Sequence, residues 1–154
     1  QSKGKGAESA QFIWPNAYVE NFVNNNWINL DHDQFISVNC GASYLWRQSH
    51  AKSALFYVDA IFGTGLRQAG GGTIAGDPFN DPIPNGASIP NYYAINMGVE
   101  EDLKLHHNRI LKARLDVVNL TDNSYELRSG SGVGVFAPQY GERRGFFGSL
   151  GLTF

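Results

Sequence analysis

The sequence predicts an all-β chain of about six antiparallel, up-and-down strands. Three observations predict it. Apolar and polar residues alternate with a period of two in runs of about 10 residues, as on strands with two unlike faces. The connections between these runs alternate between long stretches rich in Gly, Pro, Asn and Asp and short polar turns. The last run ends on a bare aromatic residue, Phe154.

Composition fits strands and turns. Charged residues make up 17% of the chain, below the roughly 25% of a typical soluble domain, so part of the surface is expected to face something other than water. The 18 glycines suit turns and strand punctuation better than helices. A net charge of -2 argues against a nucleic-acid partner, which calls for a basic patch. The single cysteine, Cys40, excludes an internal disulfide and reads as a small packing residue in an alternating run. No stretch approaches the roughly 20 continuous apolar residues of a membrane-spanning helix, and no signal peptide is recognisable. The chain opens on Gln1 rather than Met, which raises the expectation of a piece or mature product of something longer.

Taken in order, Gly6 to Trp14 is a strand candidate that Pro15 ends. Asn16 to Asp33 is polar, and Tyr18, Val19, Phe22 and Val23 have the spacing of a short helical turn within it. Gln34 to Trp46 alternates: Ile36, Val38, Cys40, Ala42, Tyr44 and Trp46 form an apolar face, against Phe35, Ser37, Asn39, Gly41, Ser43 and Leu45, which are mostly small and polar. Arg47 to Lys52 is a turn. Ser53 to Thr64 is a strand whose polar side is decided by Asp59. Gly65 to Pro90 has a composition that disfavours both helix and strand. Asn91 to Leu103 sets Tyr93, Ile95, Met97 and Val99 against Asn96, Gly98 and Glu100. After the turn Lys104 to Asn108, Arg109 to Leu120 sets Leu111, Ala113, Leu115 and Val117 against Lys112, Arg114 and Asp116. A long loop, Thr121 to Glu142, leads to the closing strand, where Phe146, Leu150, Leu152 and Phe154 share one face.

Strands of about 10 residues with one apolar face, short turns at one end and long loops at the other, match a transmembrane β-barrel. A soluble β-sandwich would show the same alternation, but its turns recur at closer spacing. In the barrel reading the apolar faces meet lipid and the polar faces line the lumen. The turns Arg47–Lys52 and Lys104–Asn108 are then periplasmic, and Tyr44 and Trp46 sit near the periplasmic interface, where aromatics form a girdle.

The end of the chain is more specific. Arg114-Leu115-Asp116-Val117-Val118-Asn119-Leu120-Thr121-Asp122 resembles the R-x-D-V-x-N-L-x-D strand near the end of TonB-dependent outer-membrane receptors. Tyr125-Glu126-Leu127-Arg128 and a Gly-rich loop follow, as in that family. Tyr140-Gly141-Glu142-Arg143-Arg144 resembles its Y-G-x-x-R approach to the closing strand, and Phe154 its C-terminal aromatic. Upstream, Leu30-Asp31-His32-Asp33-Gln34 and Phe62-Gly63-Thr64-Gly65-Leu66-Arg67 resemble segments of one branch of the family. The second departs from Y-G-S-G-L-R at Phe62 and Thr64.

The resemblance implies the C-terminal part, residues 1–154, of a 22-stranded barrel. The N-terminal plug and the box that contacts TonB are not among these residues. About six strands cannot close a barrel, which starts at eight, so alone the sheet would have two unpaired edges and would not transport. The resemblance further implies residence in the outer membrane, lipid as a partner, contact with TonB through the plug, and Phe146, Leu150, Leu152 and Phe154 as a signal read by the barrel-assembly machinery. Lys112, Arg114 and Asp116 would line the lumen.

For chemistry the sequence offers little. Asp31-His32-Asp33 and His106-His107 are adjacent residues, which point apart on extended chain, so no metal site is expected. Gly130, Gly132 and Gly134 form a G-x-G-x-G run with no helix after it and no P-loop lysine. No nucleophile–base motif is present, so no enzyme and no cofactor is expected. Arg143 and Arg144, at the outer start of the last strand, are candidates to touch an anionic ligand, beside the plainer role of anchoring the loop. The expected function is capture of a scarce extracellular small molecule, of iron-chelate, vitamin or carbohydrate type, and its import with energy passed through TonB. The alternatives are another outer-membrane barrel (a porin or barrel enzyme) and a secreted β-sandwich binding module.

Overall fold

The computed structural model describes residues 2–6, 16–107, 109–130 and 137–154. The chain is mostly antiparallel β. Its elements are β1 (Lys3–Gly4), α1 (Ala17–Asn25), β2 (Ile28–Asn29), β3 (Ser37–Arg47), β4 (Lys52–Gly63), β5 (Arg67–Gln68), β6 (Ala87–Ser88), β7 (Tyr92–Lys104), β8 (Ile110–Val118), β9 (Glu126–Arg128), β10 (Gln139–Tyr140) and β11 (Gly145–Thr153). Two compact units divide them. One comprises Val38–Phe62, Tyr93–Ser124 and Glu142–Phe154, here the sheet unit; the other comprises Gln1–Ser37, Gly63–Tyr92 and Tyr125–Gly141, here the loop unit.

In the sheet unit β11, β8, β7, β4 and β3 lie side by side in that order. Strands consecutive along this meander are neighbours, so the topology is up-and-down. The connections β3–β4 and β7–β8 are short, and β4–β7 and β8–β11 are long. The sheet has five strands among the described residues, against about six expected. The sixth candidate, residues 6–14, lies outside the described residues except for Gly6, which adjoins β1.

Register follows side-chain chemistry. Met97 faces Val117, Val99 faces Leu115 and Leu103 faces Leu111 across β7 and β8. Phe146, Gly148, Leu150 and Leu152 face Val117, Leu115, Ala113 and Leu111 across β8 and β11. The polar positions coincide in the same way: Gly98 with Asp116, Glu100 with Arg114 and Asp102 with Lys112. A slip of one residue would put charges among the apolar rows, so the two-faced pattern itself specifies the register.

The apolar face is uncovered in this unit. Leu150 is 81% exposed, and Val38, Phe56, Val58, Met97, Leu115 and Phe146 are exposed as well. Cys40, expected as a packing residue, is exposed on the same face because no layer covers β3. Trp46 stacks on Phe56 with ring centroids 6.5 Å apart. One residue breaks this face. Glu101 has the parity of Val99 and Leu103, and stands in the row of Ala113 and Leu150. Its carboxylate is held 2.5 Å from Lys52 Nζ.

The loop unit has its own small core, made by Val19, Val23, Ile28 and Ile74, with Phe22 and Ile83 packed on it. The spacing of Val19, Phe22 and Val23 gives α1 its buried stripe. Its N-cap is Asn16, whose side chain accepts from the Tyr18 amide at 2.9 Å. Residues 65–90, expected to be irregular, contain β5 paired with β6. The loop 121–142 likewise contains β9 paired with β10. These ladders are two or three residues long, too short to leave a period in the sequence.

Candidate functional site

The polar face of the sheet unit gathers the residues expected to line a lumen. Lys112, Arg114 and Asp116 alternate along β8 and therefore share one face. Arg114 donates to both oxygens of Asp116, Nε at 2.7 Å and NH2 at 3.0 Å. The Tyr57 hydroxyl donates to the same carboxylate, and the Arg114 guanidinium lies 5.4 Å from the Tyr57 ring centroid. Gly98 makes room for this group, since a Cβ there would overlap the Tyr57 hydroxyl. Lys112 Nζ is 3.4 Å from Glu100 Oε1 and 3.4 Å from Asp102 Oδ2. Asp102 Oδ1 is buried with no partner among the described residues. The face is a ladder of paired charges with carboxylates in excess, since Lys112 is shared between two of them. Among the described residues it shows no side chain arranged as a nucleophile with a base over it.

A second polar network braces the sheet where β8 ends. Asn119 is 1% exposed. Its amide N–H donates to Asn96 Oδ1 at 2.9 Å, and Asn96 Nδ2 donates to Asp59 Oδ2 at 2.8 Å. Its side-chain Nδ2 donates to the carbonyls of Asn123 and Glu142, both at 2.8 Å, while its Oδ1 accepts from the Asn123 amide at 3.0 Å. The Asn119 side chain ties the turn after β8 to Glu142 before β11, and its backbone amide joins them through Asn96 to Asp59 of β4. Asn119 and Asp122 both have left-handed backbone, φ 47° and 51°, which short polar side chains tolerate best.

This network also takes up the candidate ligand residue Arg143. Its guanidinium donates to both oxygens of Asp122, at 2.8 and 2.7 Å. The Arg144 amide donates to Asp122 Oδ1 at 3.1 Å. The Arg143 guanidinium and the Arg144 amide hold the Asp122 carboxyl well below the usual carboxylate range. Arg143 thus joins the start of β11 to the turn after β8.

The loop unit holds polar groups that sequence reasoning missed. Asp33 is 5% exposed. Burial alone would raise its carboxyl, but the Ser2 amide at 2.8 Å and the Arg67 guanidinium at 3.1 and 3.2 Å outweigh that and hold it low. Arg128 donates to His32 Nε2 at 2.5 Å, which leaves the ring proton on Nδ1, 2.7 Å from Asp31 Oδ1. A small pocket of about 20 Å³ lies between Asp31, Leu66, Arg67, Arg128 and Ser129. The signal available beforehand was the Asp31-His32-Asp33 run itself, whose alternate residues serve different partners.

The remaining expectations fall as follows. Among the described residues no cluster of three or more His, Cys, Asp or Glu is arranged to hold a metal. His106 and His107 meet edge to face, 5.0 Å apart, with His107 in left-handed conformation. Of the G-x-G-x-G run only Gly130 lies within the described residues. Phe146, Leu150, Leu152 and Phe154 project from one face of β11 and its end, 69%, 81%, 45% and 83% exposed. Arg109 lies over the Phe154 ring at 5.2 Å. No helix among the described residues is long and apolar enough to cross a membrane, which says nothing of a β-barrel. No family model, no curated protein and no solved structure matches the chain.

Proposed function

We propose that this chain is the C-terminal part of the barrel wall of a TonB-dependent outer-membrane receptor. One observation carries the reading: a five-stranded meander in register, with an exposed apolar face and a face of paired charges. A soluble sandwich needs a second layer over the apolar rows to gain the stabilisation of burial. A bilayer offers that cover without a second sheet. The charged face suits a wetted lumen because its ions are already paired. The motif at Arg114–Asp122 and the closing run to Phe154 favour this family over a porin or barrel enzyme.

In this reading the complete receptor captures a scarce extracellular small molecule with its outer loops and plug. Import draws on energy passed through TonB, since the outer membrane has no energised gradient of its own. This chain contributes lipid-facing strands, lumen wall, long outer connections and a C-terminal assembly signal. It carries no catalytic role.

The test is refolding of the full chain with and without an amphiphile. Circular dichroism is expected to report native β-structure only in detergent micelles or vesicles. A sharp cooperative melt in plain buffer would sink the membrane reading. The coding sequence upstream of Gln1 separates the two barrel readings: a plug domain supports the receptor, and its absence supports a porin or barrel enzyme.

A further inference from the structure

The ion pair Lys52–Glu101 is out of keeping with its face. Apolar rows flank Glu101 on both sides along the sheet. Val99, Leu115 and Gly148 form one row, and Leu103, Leu111 and Leu152 the other. The second row separates Glu101 from the short-turn end by two residues, about 7 Å of strand. Glu101 therefore leaves the sheet one row inside the apolar surface, and its carboxylate reaches toward Lys52 at the short-turn margin. It also forms one wall of a shallow, mostly apolar groove of about 560 Å³, lined further by Val99, Ala113, Leu115, Gly148 and Leu150 and, from β8 and β11, by Arg114 and Ser149. Gly148 and Ala113 are the small residues that leave the groove open.

Both charges stay accessible while paired. The side chains of Lys52 and Glu101 are 42% and 41% exposed. Glu101 lines the groove and Lys52 pairs with it from outside, so one anion and one cation stand side by side next to the trough. We propose that this is a binding site for a phospholipid with a primary-ammonium headgroup, an inference that rests on the membrane reading above. One acyl chain lies in the groove over Gly148. The lipid ammonium donates hydrogen bonds to Glu101, and the lipid phosphate accepts from Lys52. The four charges then alternate in sign, and neither residue loses its partner. A quaternary ammonium has no N–H to give Glu101, and an anionic headgroup without an amine engages Lys52 alone. The site therefore selects an ethanolamine-type lipid over both.

The experiment uses the full chain refolded into bilayers holding equal parts phosphatidylethanolamine, phosphatidylcholine and phosphatidylglycerol. It is then extracted in mild detergent, and the retained lipid is measured by mass spectrometry. Several-fold enrichment of phosphatidylethanolamine is expected. Glu101→Gln should abolish the preference over phosphatidylcholine, and Lys52→Met should lower total retention. Gly148→Leu, which fills the groove and leaves both charges, should also lower retention. Equal retention of the three lipids, enrichment of phosphatidylglycerol, or an enrichment untouched by Glu101→Gln overturns the proposal. Failure of the wild-type chain to float with vesicles of any composition, together with a sharp cooperative melt in plain buffer, overturns the membrane reading instead.

Discussion

Arg143 clasps both carboxylate oxygens of Asp122, at 2.8 and 2.7 Å, and so joins the turn after β8 to the start of β11. The contact has a pH signature. The folded-state pKa of Asp122 lies below its ordinary value, so the carboxylate contributes stability that is fully present above the unfolded value near about 3.9. That contribution falls as pH drops from there through the lowered folded value. Hydrogen exchange at the Arg144 amide, which Asp122 also accepts, should stay slow at pH 5 and speed up only in stronger acid. In Asp122→Asn this amide should exchange faster at pH 5, and the acid-dependent step should vanish.

Asn119 is the least replaceable polar residue of the sheet unit. Asn119→Ala removes the donor to two carbonyls and the acceptor of the Asn123 amide, and puts a residue without a short polar side chain at φ 47°. The expected loss is about 3 kcal/mol, read as a lowered urea midpoint of the refolded chain in micelles. Thr121→Ala removes only a long contact of 3.4 Å to the Asn119 carbonyl oxygen and should shift the midpoint little.

The two faces should respond oppositely to charge. Leu115→Arg puts a cation in the middle of the apolar rows and should cost about 2–4 kcal/mol in vesicles. Asn39→Arg, on the polar face of β3, should cost under about 1 kcal/mol. Urea titration of the vesicle-bound chain compares them, and equal penalties would contradict a lipid-facing Leu115.

In the loop unit, Gly141 lies against Tyr125, whose ring stacks on Tyr92 with centroids 5.4 Å apart and planes 12° from parallel. A Cβ at position 141 would overlap the Tyr125 ring. Gly141→Ala should therefore unstack the pair and weaken the near-ultraviolet circular dichroism of tyrosine, with far-ultraviolet strand signal retained. An unchanged near-ultraviolet spectrum would show that the ring has another place to go.

The long strands were legible because alternation over nine or more residues leaves a clear period; the observed bounds differ from the expected ones by a few residues at the ends. The α1 stripe was legible in Val19, Phe22 and Val23. Pairs such as β5–β6 were not, since two residues have no period. Glu101 could have been found: it follows Glu100, and on a strand one of two adjacent carboxylates must take the other face. The roles of Asn119, Asp33 and Arg128 were hidden because their partners are remote in sequence, and polar residues in a loop look alike until the chain brings a carbonyl or guanidinium to them. Arg143 shows the reverse. Its charge was conspicuous in the sequence, yet its partner Asp122, 21 residues away, has already claimed it.

The left-handed pair Asn119 and Asp122 has a consequence for length. It stops β8 at Val118, and the strand begins at Ile110, so it is nine residues long. Nine residues span about 30 Å, or about 23 Å along the normal of a bilayer when tilted by about 40°. That is close to the apolar band of about 25 Å in outer-membrane barrels. On the membrane reading proposed above, the asparagine bracing thus marks where hydrocarbon would end on this strand.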